Sequence, residues 1–177
     1  MSLFSKVVFR KITKISGMKK LKIYLDTSVI SYLDQQDAPE RMKITKKFWN
    51  EISNEMYDVV ISDIAITELA KNKENKLKIL FEYINQIEYI SEPETEESAK
   101  LVESYLKYGT LSEKSRDDLR HIALATVSNC DVVVSWNFKH FVNLKTINKV
   151  QAINKLEGYA EIQIMPPNMI LGDDENE

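Results

Sequence analysis

Cysteine is almost missing from this sequence: Cys130 stands alone among 177 residues, so neither an internal disulfide nor a cysteine-based zinc site can form. A reducing cytoplasm is the compartment that suits such a chain, and Cys130 itself reads as a small buried hydrophobe. Glycine is scarce too. Its four copies supply no phosphate-cradling loop, which excludes a P-loop nucleotide triphosphatase. No apolar run approaches the roughly 18 residues needed to cross a bilayer, so a membrane protein is not expected. Internal repeats, low-complexity segments and Gly/Ser linkers are absent as well. One domain follows as the default, in a chain long enough to bury a core without disulfides or a structural metal.

What is present is ordinary for a soluble globular protein, with 44% hydrophobic and 29% charged residues. The net charge of −3 is unevenly spread. Residues 1–20 carry Lys6, Arg10, Lys11, Lys14, Lys19 and Lys20 with no acid, and read as a basic N-terminal extension in which Met18 directly precedes the first strand-like run. Residues 172–177 form an acidic tail expected to be disordered. The segment between them holds 18 bases and 23 acids, a balance of −5. Such a domain cannot handle nucleic acid through a generally basic surface; metal ions or local lysine patches must offset phosphate repulsion.

From Leu21 short apolar runs alternate with helix-period stretches, the pattern of parallel strands joined by crossover helices. Strands are expected at 21–26 (LKIYLD), 58–62 (DVVIS), 87–90 (IEYI), 131–135 (DVVVS) and 161–165 (EIQIM). The continuous VVI and VVV runs suit strands covered on both faces. Thr27 or Ser28 can cap a short helix after the first strand, and Pro39 suits the first turn of the next. TEESAKLVESYLKYG repeats apolar positions at helical spacing and stops at Gly109. SEKSRDDLRHIALATVSN turns Leu119, Ile122, Ala123 and Ala125 inward. The expected fold is α/β: three layers, with a central, mostly parallel five-stranded sheet flanked by helices over residues 21–171.

In open parallel sheets ligands bind outside the carboxyl ends of the strands, and that rule sorts the acids. Asp26 closes the first strand, and Glu68 follows the second in a helix that Ser62 or Asp63 can cap. Asp118 lies four and seven residues before Ile122 and Ala125, on the inward stripe of its helix. Three carboxylates in one crevice ionise cheaply only around a cation, and the economical choice is a hard divalent ion, Mg²⁺ or Mn²⁺. Taken singly, each acid has a plainer role: Asp26 as a helix cap, Glu68 as a solvated residue, the Asp117–Asp118 pair as a complement to a helix dipole.

The segments IYLDTSVISYL, VVISDIAITELAK, DDLRHIALATVSNCDVVVSWNFKHF and IQIMPPNMIL, in this order, resemble the PIN-domain family and in particular its VapC-type toxin ribonucleases. The resemblance implies metal ligands at Asp26, Glu68 and Asp118, and it selects Asp118 over Asp117. Many members carry a fourth acid where this chain reads SWNFKHF; Asn137 is assigned there as ligand or water-positioner, with His140 as the alternative. Asp131 begins its strand, at the wrong edge of the sheet for that role, and His121 is read as structural. The implied reaction is metal-dependent hydrolysis of RNA phosphodiester bonds, leaving a 5′-phosphate and a 3′-hydroxyl. Thr27 or Ser28 can hold a metal-bound water or a phosphate. Arg116, Lys139 and His140 are candidate substrate contacts, as are Lys114, Arg120, Lys43, Lys46 and Lys47. A cognate antitoxin and a homodimer are the implied partners. A haloacid-dehalogenase phosphatase would need a second acid two residues after Asp26, where Ser28 stands. A PIN scaffold without activity, binding RNA or protein, is the alternative that the missing fourth acid supports.

Overall fold

The computed structural model describes residues 19–171, so most of the basic 1–20 segment and the acidic 172–177 tail lie outside the described residues. Five strands, β1 (Lys22–Leu25), β2 (Asp58–Ser62), β3 (Ile90–Glu92), β4 (Val132–Val134) and β5 (Gln163–Met165), form one sheet in the order β3-β2-β1-β4-β5. Every pairing is parallel, as helical crossovers require. Tyr24 on β1 lies level with Val60 of β2 and Val133 of β4.

Strand alternation splits the core into two layers. Tyr24, Val60, Val133 and Ile164 face α5 (Glu96–Lys107), α6 (Arg116–Val127) and α7 (Leu144–Glu157). Ile23, Leu25, Val59, Ile61, Val132 and Val134 face α1 (Thr27–Ser31), α2 (Pro39–Ser53), α3 (Asp63–Leu69) and α4 (Glu74–Ile84). The final helix, α8 (Pro167–Leu171), packs against α2. Each fully buried aliphatic side chain contributes about 1.5–3 kcal/mol, so β1, buried on both faces, is the firmest base on which to mount a side chain.

The expected helix starts hold, with one correction. Pro39 occupies the first turn of α2, and Thr95 caps α5 in a reciprocal box with Ser98. Gly109, at φ 66°, takes the left-handed turn that ends α5. The cap of α1 is Asp26 rather than Thr27 or Ser28, because β1 ends at Leu25 and helical geometry begins at Thr27. The third strand lies at 90–92 rather than 87–90. As an edge strand it pairs only with β2, its register is set by Val60–Ser62, and Tyr89 and Ile90 stay exposed. Helix α7 carries a blurred sequence signal because its buried face includes Thr146 and Asn154 while Leu144 and Leu156 face solvent.

Candidate active site

The chain runs from β1 through β2 to β3 on one side and then returns to place β4 on the other side of β1, so the topological switch point lies between β1 and β4. Asp26 sits at the carboxyl end of β1, its backbone N–H donating to the Val134 carbonyl (3.1 Å). Its carboxylate is buried, and Oδ2 accepts from the Ser28 N–H (3.3 Å), the Ser28 hydroxyl (2.5 Å) and the Ser135 hydroxyl (2.7 Å). The two serines are held in turn from the segment after β4: Trp136 N–H donates to Ser28 Oγ (2.9 Å) and Asn137 N–H to Ser135 Oγ (3.0 Å). All of these bonds to the carboxylate fall on Oδ2, which leaves Oδ1 for another group.

Glu68 comes from α3, whose cap is Ser62: its hydroxyl accepts from Ala65 N–H at 3.1 Å. Glu68 Oε2 takes a short hydrogen bond from the Thr27 hydroxyl and another from His121 Nε2 at 3.2 Å. His121 is buried, and its other nitrogen lies 2.7 Å from the Tyr24 hydroxyl, which meets Ser62 Oγ at 2.5 Å. A chain of polar contacts therefore runs from Ser62 through Tyr24 and His121 to Glu68. Burial opposes charge on both ends of the ion pair, yet the mutual bond prevails: the Glu68 carboxyl is held below its usual pKa and the His121 imidazole above its own.

Asp118 stands in the first turn of α6 with a side chain 25% exposed, whereas that of Asp117 is 68% exposed and pairs with Arg120. The inward stripe thus selects Asp118, as the helical spacing predicts. Asp118 Oδ1 accepts from Asn137 Nδ2 (3.1 Å) and Oδ2 from His140 Nδ1 (2.7 Å), while Asn137 Oδ1 accepts the His140 backbone N–H (3.0 Å). Burial raises the Asp118 pKa; the bond to His140 opposes this, and the charge of Asp26 adds to the rise. Asn137 links the two acids, its N–H bound to the Ser135 hydroxyl that holds Asp26 and its amide bound to Asp118.

Each of the three acids is tied to neighbouring donors. Among the described residues no three Asp, Glu, His or Cys side chains form a group able to hold one metal ion. The donor chemistry nonetheless fits a hard cation: carboxylate oxygens on three elements, one oxygen of Asp26 with no donor among the described residues, and an Asp118 that burial pushes toward its neutral form.

Against known families, a family model, "PIN domain", matches residues 23–141. The chain belongs to the PIN domain family. PIN domains are typically nucleases that use divalent metal ions. The match ends at Phe141; α7, β5 and α8 follow it, and β5 pairs with β4 in the same sheet. Among solved structures, a chain of "VapBC2 from Rickettsia felis bound to a DNA fragment from their promoter" is similar in fold, with a TM-score of 0.53 and 13% identity. The likeness covers 82% of this chain and 98% of that one. No curated protein sequence matches significantly.

Of the remaining predicted contacts, Thr27, Ser28 and His140 lie within the network just described. Lys139 is exposed beside it. Arg116 is engaged by Glu103 and Glu113 (2.5 Å each), and Arg120 by Glu94 and Asp117. Asp131 lies at the opposite edge of the sheet of this PIN domain, as expected, where Oδ2 accepts from Lys22 N–H at 2.7 Å. The sequence reading missed Tyr24 and Ser135 and took Ser62 only as a helix cap; Ser135 fixes Asp26, while Tyr24 and Ser62 support His121 behind Glu68. Ser62 and Ser135 do close or follow apolar strands at their carboxyl ends, so the same strand-end rule reaches them once hydroxyls are counted.

Proposed function

We propose that this PIN domain is a Mg²⁺- or Mn²⁺-dependent endoribonuclease that hydrolyses RNA phosphodiester bonds, and that it serves as the cytoplasmic toxin of a type II toxin–antitoxin pair. The observation that carries the reading is the hydrogen-bonded link between two acids at the switch point: Ser135 binds Asp26, and Asn137 binds both Ser135 and Asp118. Asp26, Glu68 and Asp118 would hold the ion. When bound, it would supply activated water and offset charge on the phosphodiester oxygens.

The chain's own residues orient those ligands. Ser28 and Ser135 fix Asp26, Thr27 and His121 fix Glu68, and Asn137 and His140 fix Asp118. Both polar atoms of the Asn137 side chain are engaged, its amide by Asp118 and its oxygen by the His140 N–H, which favours a positioning role for it. Lys139 and His140 are the nearest candidates for contact with the RNA backbone. The fold likeness to a chain of VapBC2 supports a protein partner, here an antitoxin, and homodimerisation is part of the same proposal. The domain is bounded at 21–171.

The test is cleavage of RNA by the purified chain in Mg²⁺ or Mn²⁺ and in chelator. Activity should require the metal and vanish in Asp26→Asn while that variant keeps its fold by circular dichroism. Equal cleavage in chelator would sink the proposal. Expression without a partner should slow bacterial growth, and Asp26→Asn should relieve this. A second reading, a binding module without catalysis, draws on the lack of a three-ligand group among the described residues; RNA binding without cleavage under any divalent ion would select it.

A further inference from the structure

Beside the carboxylates lies a cluster that the hydrolysis of a phosphodiester does not call for. The Arg41 guanidinium stands over three rings, 5.6 Å from the centroid of Tyr32, 5.5 Å from Trp136 and 5.3 Å from Phe138. Arg41 Nη1 also donates to the Tyr32 hydroxyl at 3.1 Å. No carboxylate pairs with Arg41 among the described residues. Arg41 occupies the first turn of α2, the positive end of the helix dipole, where a cation is disfavoured. A residue that breaks a local rule in a place without an acid to justify it points to a role beyond folding. Trp136 is buried and anchored through its indole N–H to Thr45 (2.8 Å), which suits a structural part. Phe138 is different: two residues on, it is 44% exposed.

The cluster is linked directly to the site. The Trp136 N–H binds the Ser28 hydroxyl that binds Asp26, and Asn137, between Trp136 and Phe138, binds Asp118. A strand whose phosphate reached the carboxylates would bring a neighbouring base past Phe138. We propose that Phe138 and Arg41 form a stacking platform for an unpaired nucleobase adjacent to the scissile phosphate, so that the substrate is single-stranded at this position. Aromatic faces and guanidinium planes stack on any base, and only an unstacked base can reach them. The platform rests on the nuclease reading above and deepens it by naming the form of the RNA.

The experiment separates the two. In an Asp118→Asn background, which removes cleavage and one negative charge, binding of a short single-stranded RNA carrying a fluorescent adenine analogue is followed by anisotropy and by quenching of the analogue. Phe138→Ala, at an exposed position, should weaken binding about tenfold and abolish the quenching. Phe138→Trp should restore both, and Arg41→Lys, which keeps the charge but not the plane, should lose part of the quenching. A duplex of the same sequence should bind with no dependence on residue 138. Unchanged affinity and quenching in Phe138→Ala, or no binding of single-stranded RNA by the Asp118→Asn chain, would overturn the platform. Cleavage by the wild-type chain without dependence on Phe138 would leave the nuclease standing and remove the platform, whereas Phe138-dependent stacking without metal-dependent cleavage would do the reverse.

Discussion

The two edges of the sheet carry aspartates in opposite circumstances. At the amino edge Asp131 is matched to its surroundings: Oδ2 takes the Lys22 N–H, its backbone N–H donates to the Lys22 carbonyl at 2.7 Å, and Lys19 Nζ stands 3.8 Å away. At the carboxyl edge Asp26 is held by serine hydroxyls and Asp118 by an amide and an imidazole, and burial pushes Asp118 toward its neutral form. A carboxylate that closes a strand pairing is complete as it stands. One held by hydroxyls and an amide beside a second acid is positioned for something that the fold does not supply.

The largest effect should come from setting Asp118→Ala against Asp131→Ala. The first should lower the rate of RNA cleavage by more than about a hundredfold, since even partners of metal ligands cost about 10–100-fold. The second should leave the rate unchanged and cost about 1 kcal/mol in a urea titration. Equal rate losses would erase the contrast between the edges.

His121→Ala strips partners from Glu68 and from the Tyr24 hydroxyl, and should destabilise the fold by about 2–3 kcal/mol. The same pair has a pH signature in chelated protein. The pKa of Glu68 is lowered, so its share of stability is present above the ordinary Glu value of 4.5 and is lost as pH falls through the folded value. The pKa of His121 is raised, so its share is complete below the ordinary His value of 6.5 and is lost as pH rises through the folded value. The pair therefore contributes most between these limits, and in thermal melts His121→Gln should flatten that region of the profile. A profile identical to that of the wild type would show that the contact contributes nothing.

Asn137 gives a finer probe of the carboxyl edge. Asn137→Asp adds a negative charge beside Asp118, which should lower the Mn²⁺ concentration for half-maximal cleavage; Asn137→Ala should reduce the rate by releasing Asp118. Indistinguishable titrations would remove Asn137 from the site. The smallest effect belongs to Asp117→Ala, an exposed residue paired with Arg120: stability should change by less than about 0.5 kcal/mol and cleavage not at all.

Periodicity and strand-end placement suffice, on the sequence alone, for a parallel α/β sheet with Asp26, Glu68 and Asp118 toward its carboxyl end. Those properties are local: alternation of two, helical spacing of three and four, and the polarity of a strand that must be followed by a helix. The preference for Asp118 over Asp117 is of this kind, since 100° of helix rotation separates neighbours whatever the rest of the chain does. Strand β3 and helix α7 were poorly legible because an edge strand and a helix with polar buried residues lose the contrast on which periodicity depends. Only the tertiary structure decided the partners. That Ser135 serves Asp26, that Tyr24 and Ser62 reach His121, and that Arg41 lies over Phe138 all join residues from 38 to 109 positions apart in the chain. Such contacts have no local signature, because they exist only once β1 is set between β2 and β4 and the segments after those strands are brought together at the same edge.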